Sequence, residues 1–127
     1  MNLQLIAAVA LGGAVGSVAR YLGGIGAGKL FGFDFPWGTL IINVLGSFLI
    51  GVLAESFALR WDAPQAVRVF LTIGICGGFT TFSTFSLESA LLIERGEFGA
   101  AAAYIIASGA VSIGALFAGL HLIRAMT

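Results

Sequence analysis

Four apolar runs, at about residues 3–28, 37–59, 66–93 and 98–123, fill most of this chain and decide what it can fold into. Each exceeds the roughly 20 residues a helix needs to cross a hydrocarbon layer of about 30 Å. Charged residues make up 9% of the 127 and hydrophobic residues 59%, with mean hydropathy +1.06. A soluble domain carries roughly 25% charge, so this chain has too little polar side chain to cover a water-exposed surface. The expected fold is an all-α integral membrane protein, one domain of four transmembrane helices. Its 19 glycines suit the close backbone contacts of membrane helices. Zero net charge gives no electrostatic footprint for nucleic acid. Residues 1–5 carry no Lys or Arg, and no small-residue cleavage site follows, so the first run is expected to stay as a helix.

The third run contains the most unusual stretch, Gly74 to Glu88. Three glycines (Gly74, Gly77, Gly78) precede five hydroxyl residues, interleaved with Phe79, Phe82 and Phe85 and closed by a carboxylate. Glycines weaken the helix, and Thr80, Thr81, Ser83 and Thr84 compete for its backbone groups, so a broken helix is expected. Lipid does not tolerate irregular backbone, so the break must face protein or a water-filled path. Cys76, the one cysteine, lies in this apolar run and is read as a small buried thiol.

In the first run Ala8, Gly12, Gly16, Arg20, Gly24 and Gly28 recur every fourth residue, a long small-residue face made for close helix contact. Arg20 stands about 26 Å along the axis from Leu3, near the far edge of the hydrocarbon layer. It reads either as a snorkelling anchor or as a cation at a pore mouth. In the second run Thr39, Asn43, Ser47, Gly51 and Glu55 share one face. The Asn43 carboxamide needs partners there, either an interhelical hydrogen bond or a bound or permeating species. In the fourth run Tyr104, Ser108 and Ser112 fall on successive turns, either as a hydroxyl track or as residues bonding back to their own helix. Ala110, Gly114 and Ala118 follow the same spacing and look like a packing surface. His121 lies near the helix end without a metal-ligand spacing around it.

An even number of spans puts both termini on one side. The terminal side carries Arg60, Arg68 and Arg124; the other carries Lys29, Arg95 and Arg20. Three cations against three give no orientation signal. The expectation is dual insertion, with opposed copies paired as an antiparallel two-fold homodimer in the lipid bilayer. Carbonyls freed by two helix breaks at such an axis invite a cation with hard oxygen ligands, such as Na⁺.

Three motifs then occur in order: Gly12 to Tyr21 (GGAVGSVARY), Gly38 to Gly46 (GTLIINVLG), and Gly74 with Gly77 to Phe85 (GGFTTFSTF). They resemble the bacterial fluoride channels of the Fluc/CrcB family over essentially the whole chain. The resemblance implies a passive, highly selective fluoride channel, not an enzyme, that lowers cytoplasmic fluoride. It further implies a multi-pass protein of the bacterial inner membrane, built as an antiparallel dimer with two pores. By the same resemblance, a structural Na⁺ is held by the main-chain carbonyls of Gly77 and Thr80, and Phe82, Phe85 and Asn43 belong to the pore. Tyr104, Ser108 and Ser112 match the hydroxyl track, Thr39 and Glu88 match polar positions of the inner pathway, and Arg20 matches the vestibule cation.

Residue chemistry fits an anion path. Fluoride gives up strongly held water, so a pore must supply donors, and Asn43, Thr81, Ser83, Tyr104, Ser108 and Ser112 are donors that carry no fixed charge. The positive ring edges of Phe82 and Phe85 can meet an anion in an otherwise apolar constriction. An ionised Glu88 would repel fluoride, which leaves open a small proton-coupled exporter with Glu88 as the exchanging acid. A non-conducting assembly subunit would explain the glycine faces but not Asn43 or the hydroxyl track.

Overall fold

The computed structural model describes residues 2–127. Helix α1 spans Leu3–Phe31. It starts where the Asn2 side chain accepts the Gln4 and Leu5 amides at 2.9 and 3.3 Å, and stops at Gly32, whose φ of 82° favours glycine. Helix α2 spans Trp37–Leu59 after the turn at Pro36. The third span, Gln65–Glu94, is made of four pieces: α3 (Gln65–Val69), a π-helical segment (Phe70–Cys76), α4 (Gly77–Phe79) and α5 (Phe82–Glu94). Helix α6 spans Phe98–Ala125. All four spans are long and apolar enough to cross a membrane. The shortest, α2, is about 34 Å long at 1.5 Å per residue. The first helix runs past the expected end at Gly28 and takes Lys29 into its last turn.

The small-residue face of α1 packs on the third span. A Cβ on Gly12 would lie 2.9 Å from Gly74 Cα, and one on Gly16 would lie 2.9 Å from the Phe79 amide and against the Ile75 carbonyl. From the other side, a Cβ on Gly78 would lie 2.7 Å from the Gly13 carbonyl oxygen. No side chain fits between these backbones, so glycine is required on both. The π-helical segment lies along this contact; wide turns of that kind are rare and concentrate at functional sites.

Helices α2 and α6 run parallel, both from the loop side toward the side holding the termini, and pack as closely. Gly51 sits on the Leu116 carbonyl, and Gly119 sits against the Phe48 carbonyl and the Val52 amide. At the terminal side Arg124 Nε donates to Glu55 Oε2 and ties the two helix ends together. Toward the other side, buried Leu92, Ala101 and Tyr104 form a core with Phe35, Leu40, Phe85 and Ala100 against it. Leu11, Leu22, Ile106 and Phe117 are exposed, an apolar exterior that lipid accommodates and water does not. The sequence-based packing surface on α6 is turned outward: Ala110, Gly114 and Ala118 are exposed, and Gly114 has nothing near its Cβ position. The face that packs carries Tyr104, Ser108, Gly119 and Ile123. Ala110 lies two residues beyond Ser108, about 200° around the helix.

Candidate functional site

The third span is interrupted at Thr80 and Thr81, which both have extended backbone (ψ 158° and 121°). An interruption in a membrane helix frees peptide groups, and each must find a partner. Side chains supply several of them. Thr81 Oγ1 caps α5 by accepting the Thr84 amide at 3.1 Å, and shares a 3.3 Å contact with Ser83 Oγ. Thr80 Oγ1 donates to the Cys76 carbonyl at 2.9 Å. Asn43, reaching from α2, takes both sides of the Thr81 peptide: Nδ2 donates to the Thr81 carbonyl at 3.1 Å, and Oδ1 accepts the Thr81 amide at 2.8 Å. Arg20 Nε, from α1, donates to the Gly78 carbonyl at 3.0 Å, placing a cation at the carbonyl end of α4. Of the two sequence readings of Arg20, neither describes this role: a half-buried guanidinium tied to broken backbone. Among the described residues, no hydrogen bond reaches the carbonyls of Gly77 or Thr80.

Beside the break lies an open groove of about 330 Å³, lined by the break, α2 and α6. It brings together Asn43, Gly77, Thr80, Thr81, Phe82, Phe85, Ser108 and Ser112. The Phe82 and Phe85 rings lie 5.5 Å apart, and Phe85 lies 5.1 Å from Tyr104. Phe82 is 78% exposed and so is available to whatever occupies or covers the groove. Ser108 Oγ and Ser112 Oγ are buried without a hydrogen-bond partner. They do not bond back to their own helix, as Thr72, Ser86 and Ser89 do at 2.7 to 2.9 Å. An unpaired buried hydroxyl costs roughly 1–3 kcal/mol, so two of them on one groove wall point to a ligand or water that they serve.

The remaining sequence-derived residues lie elsewhere. Tyr104 is fully buried and does not line the groove; its hydroxyl donates to Glu88 Oε1 at 3.1 Å, which gives the half-buried carboxylate a neutral partner. Thr39 and Glu88 line a second cavity of about 380 Å³ under the loop of residues 32–36, with Arg95 at its rim. Arg20 lines a third of about 300 Å³. Thr81 borders both this one and the groove, and Thr39 borders both this one and the second cavity. Ser83 is exposed and lies outside all three. Sequence reasoning left out Gly46, Ser47, Ile50, Cys76 and Gly109, which also line the groove. Gly46, where a Cβ would press on the Thr80 methyl, brings the break against α2. Its signal was visible, since Asn43, Gly46, Ser47 and Ile50 share one helical face.

Sequence comparison adds the chain's relatives to this geometry. The family model described as "CrcB-like protein, Camphor Resistance (CrcB)" matches residues 7–120. A protein of Nitrobacter hamburgensis named "Fluoride-specific ion channel FluC 1" is 63% identical over 126 residues, covering 99% of this chain and all of that one. One of Nitrobacter winogradskyi, named "Fluoride-specific ion channel FluC", is 63% identical over 98% of each chain. Another so named, of Rhodospirillum centenum, is 56% identical over 96% of this chain and 97% of that one. With all four spans matched except their outermost turns, the chain belongs to the CrcB family.

Proposed function

We propose that this protein is a passive, selective fluoride channel of the bacterial inner membrane that lowers cytoplasmic fluoride. The observation that carries the reading is the pair of unpartnered, buried hydroxyls on Ser108 and Ser112, two residues that line the same groove as Phe82, Phe85 and Asn43. Asn43 has one amide hydrogen engaged with Thr81, and its second is available to the groove. These groups donate hydrogen bonds without a fixed charge to trap the ion, and the names of the relatives supply the ion's identity. Glu88, with the Tyr104 hydroxyl donated to it, lies in a different cavity and needs no proton-exchange role.

The groove is open on one side, and Phe82 on its rim is largely exposed. A second copy in the opposite orientation would cover it, giving an antiparallel dual-topology homodimer with two pores. Balanced cations on the two membrane sides support this assembly. The unpaired carbonyls of Gly77 and Thr80 fit a structural Na⁺ shared by the two copies: they are neutral, hard oxygen donors, and no acidic or Cys/His cluster competes among the described residues. Bound there, the ion would stabilise the breaks electrostatically.

Purified protein in liposomes loaded with fluoride tests the function. Electrogenic efflux faster than about 10³ ions per second without a pH gradient is expected of a channel. Slow efflux that needs the gradient would identify an exporter and overturn the proposal. Accessibility of a C-terminal tag from both membrane sides tests the topology, and a single uniform orientation would exclude the antiparallel dimer.

A further inference from the structure

The groove wall contains more donors than the three-residue track on α6. Five hydroxyl residues line it: Ser47, Thr80, Thr81, Ser108 and Ser112. Two are committed to holding the break, Thr80 to the Cys76 carbonyl and Thr81 to the Thr84 amide. Ser108 and Ser112 are unpaired. Among the described residues Ser47 makes no hydrogen bond either, not even to the Asn43 carbonyl one turn before it. The residue is half-buried and lines the groove.

The packing of α2 on α6 explains why Ser47 is there. The two helices run parallel, and their close contact puts Gly51 on the Leu116 carbonyl. Each step of four residues back from that contact keeps the same two faces opposed. One step reaches Ser47 and Ser112, the next Asn43 and Ser108, and a third Thr39 and Tyr104, where the Thr39 side chain stands beside the Tyr104 hydroxyl. The donors thus form rungs, and Ser47 is the α2 half of the rung whose α6 half is Ser112.

We infer that Ser47 is a further ion-contacting residue of the pathway: its hydroxyl, paired across the groove with Ser112, donates to the anion on the terminal side of Asn43. The inference rests on the proposed conduction of fluoride and extends its α2 donors from Asn43 by one turn toward the terminal side. A path with donors on one wall holds a dehydrated ion on one side only; a rung supplies them from two. The two glycine contacts just beyond, at Gly51 and Gly119, hold the helices in close backbone contact next to this rung.

Fluoride efflux from liposomes, followed with a fluoride electrode, tests this on wild type, Ser47→Ala and Ser47→Thr. Ser47→Ala removes only a hydroxyl that has no partner in the protein, so its dimer should elute as wild type. Its flux should fall roughly tenfold or more, as loss of one donor to a charged species implies, and its half-saturating fluoride concentration should rise. Ser47→Thr keeps the hydroxyl and should conduct within about threefold of wild type. Wild-type flux in Ser47→Ala overturns the inference while leaving the channel reading intact, as does an equal loss in both variants. A wild type that passes no fluoride overturns the channel reading and this inference with it.

Discussion

The Asn43 carboxamide and the Thr81 peptide unit form a reciprocal pair, N–H to carbonyl at 3.1 Å and amide to Oδ1 at 2.8 Å, across 38 residues of sequence. This one side chain replaces both helical hydrogen bonds that the interruption takes from Thr81. The pore amide of the sequence reading is therefore also a structural part of the break.

Asn43→Leu should destabilise the protein by about 2–4 kcal/mol, because it leaves one peptide N–H and one carbonyl unpaired in an apolar surround. Thermal unfolding of the detergent-solubilised protein measures this. Asn43→Asp retains the acceptor for the Thr81 amide but not the donor to its carbonyl, so it should lie between Leu and wild type.

Neighbouring glycines on α1 should behave in opposite ways. At Gly12 a methyl group would lie 2.9 Å from Gly74 Cα, whereas at Gly13 nothing lies within 4 Å. Gly12→Ala should lose the monodisperse peak in size-exclusion chromatography, since backbone on both sides has nowhere to move. Gly13→Ala should keep it and gain up to about 1 kcal/mol from helix propensity. Equal behaviour of the two would contradict the α1 packing described above.

Arg20 is half-buried with Nε on the Gly78 carbonyl, so Arg20→Ala removes a partner from a broken helix end as well as a charge. Loss of a charge-assisted hydrogen bond should lower stability by roughly 1.5–3 kcal/mol. A mere snorkelling anchor would instead leave the unfolding temperature nearly unchanged. Amide hydrogen exchange at Thr80 to Thr84 should quicken in this variant.

Phe82→Ile and Phe85→Ile should separate flux from folding. Phe82 is exposed in the single chain, while Phe85 packs on Phe82 and Tyr104 at 5.5 and 5.1 Å. Both variants should reduce fluoride efflux in liposomes. Phe85→Ile should lower thermal stability more than Phe82→Ile, by about 1 kcal/mol, because it loses the pairing with Tyr104 as well as the one the two phenylalanines share. Normal flux in both would remove the rings from the mechanism.

Much of this arrangement was legible in the chain because it depends on local properties. Hydropathy over about 20 residues set the spans, and the density of Gly, Thr and Ser set the break. Within the four-residue repeat from Ala8 to Gly28, Gly12 and Gly16 meet the third span, whereas Gly24 lies against Gly38 of α2 and Gly28 against Phe33. On α6 the same pattern does not mark the contact within the chain: Ala110, Gly114 and Ala118 are exposed, and Ser108 and Gly119 are buried. A small-residue stripe shows that a helix can be approached closely but not from which side its neighbour comes.

The sequence by itself determined that this is a four-span membrane protein with an interrupted third helix and a set of uncharged donors, because transfer energy and backbone propensity are properties of short segments. Only the tertiary structure decided which donor does what. Arg20 reached the Gly78 carbonyl, Asn43 the Thr81 peptide and Tyr104 the Glu88 carboxylate, leaving Ser108 and Ser112 unpaired beside the groove. A hydrogen bond is short-ranged and directional, so its partner is set by the register and rotation of packed helices. Here the glycine contacts between α1 and the third span, and between α2 and α6, fix both.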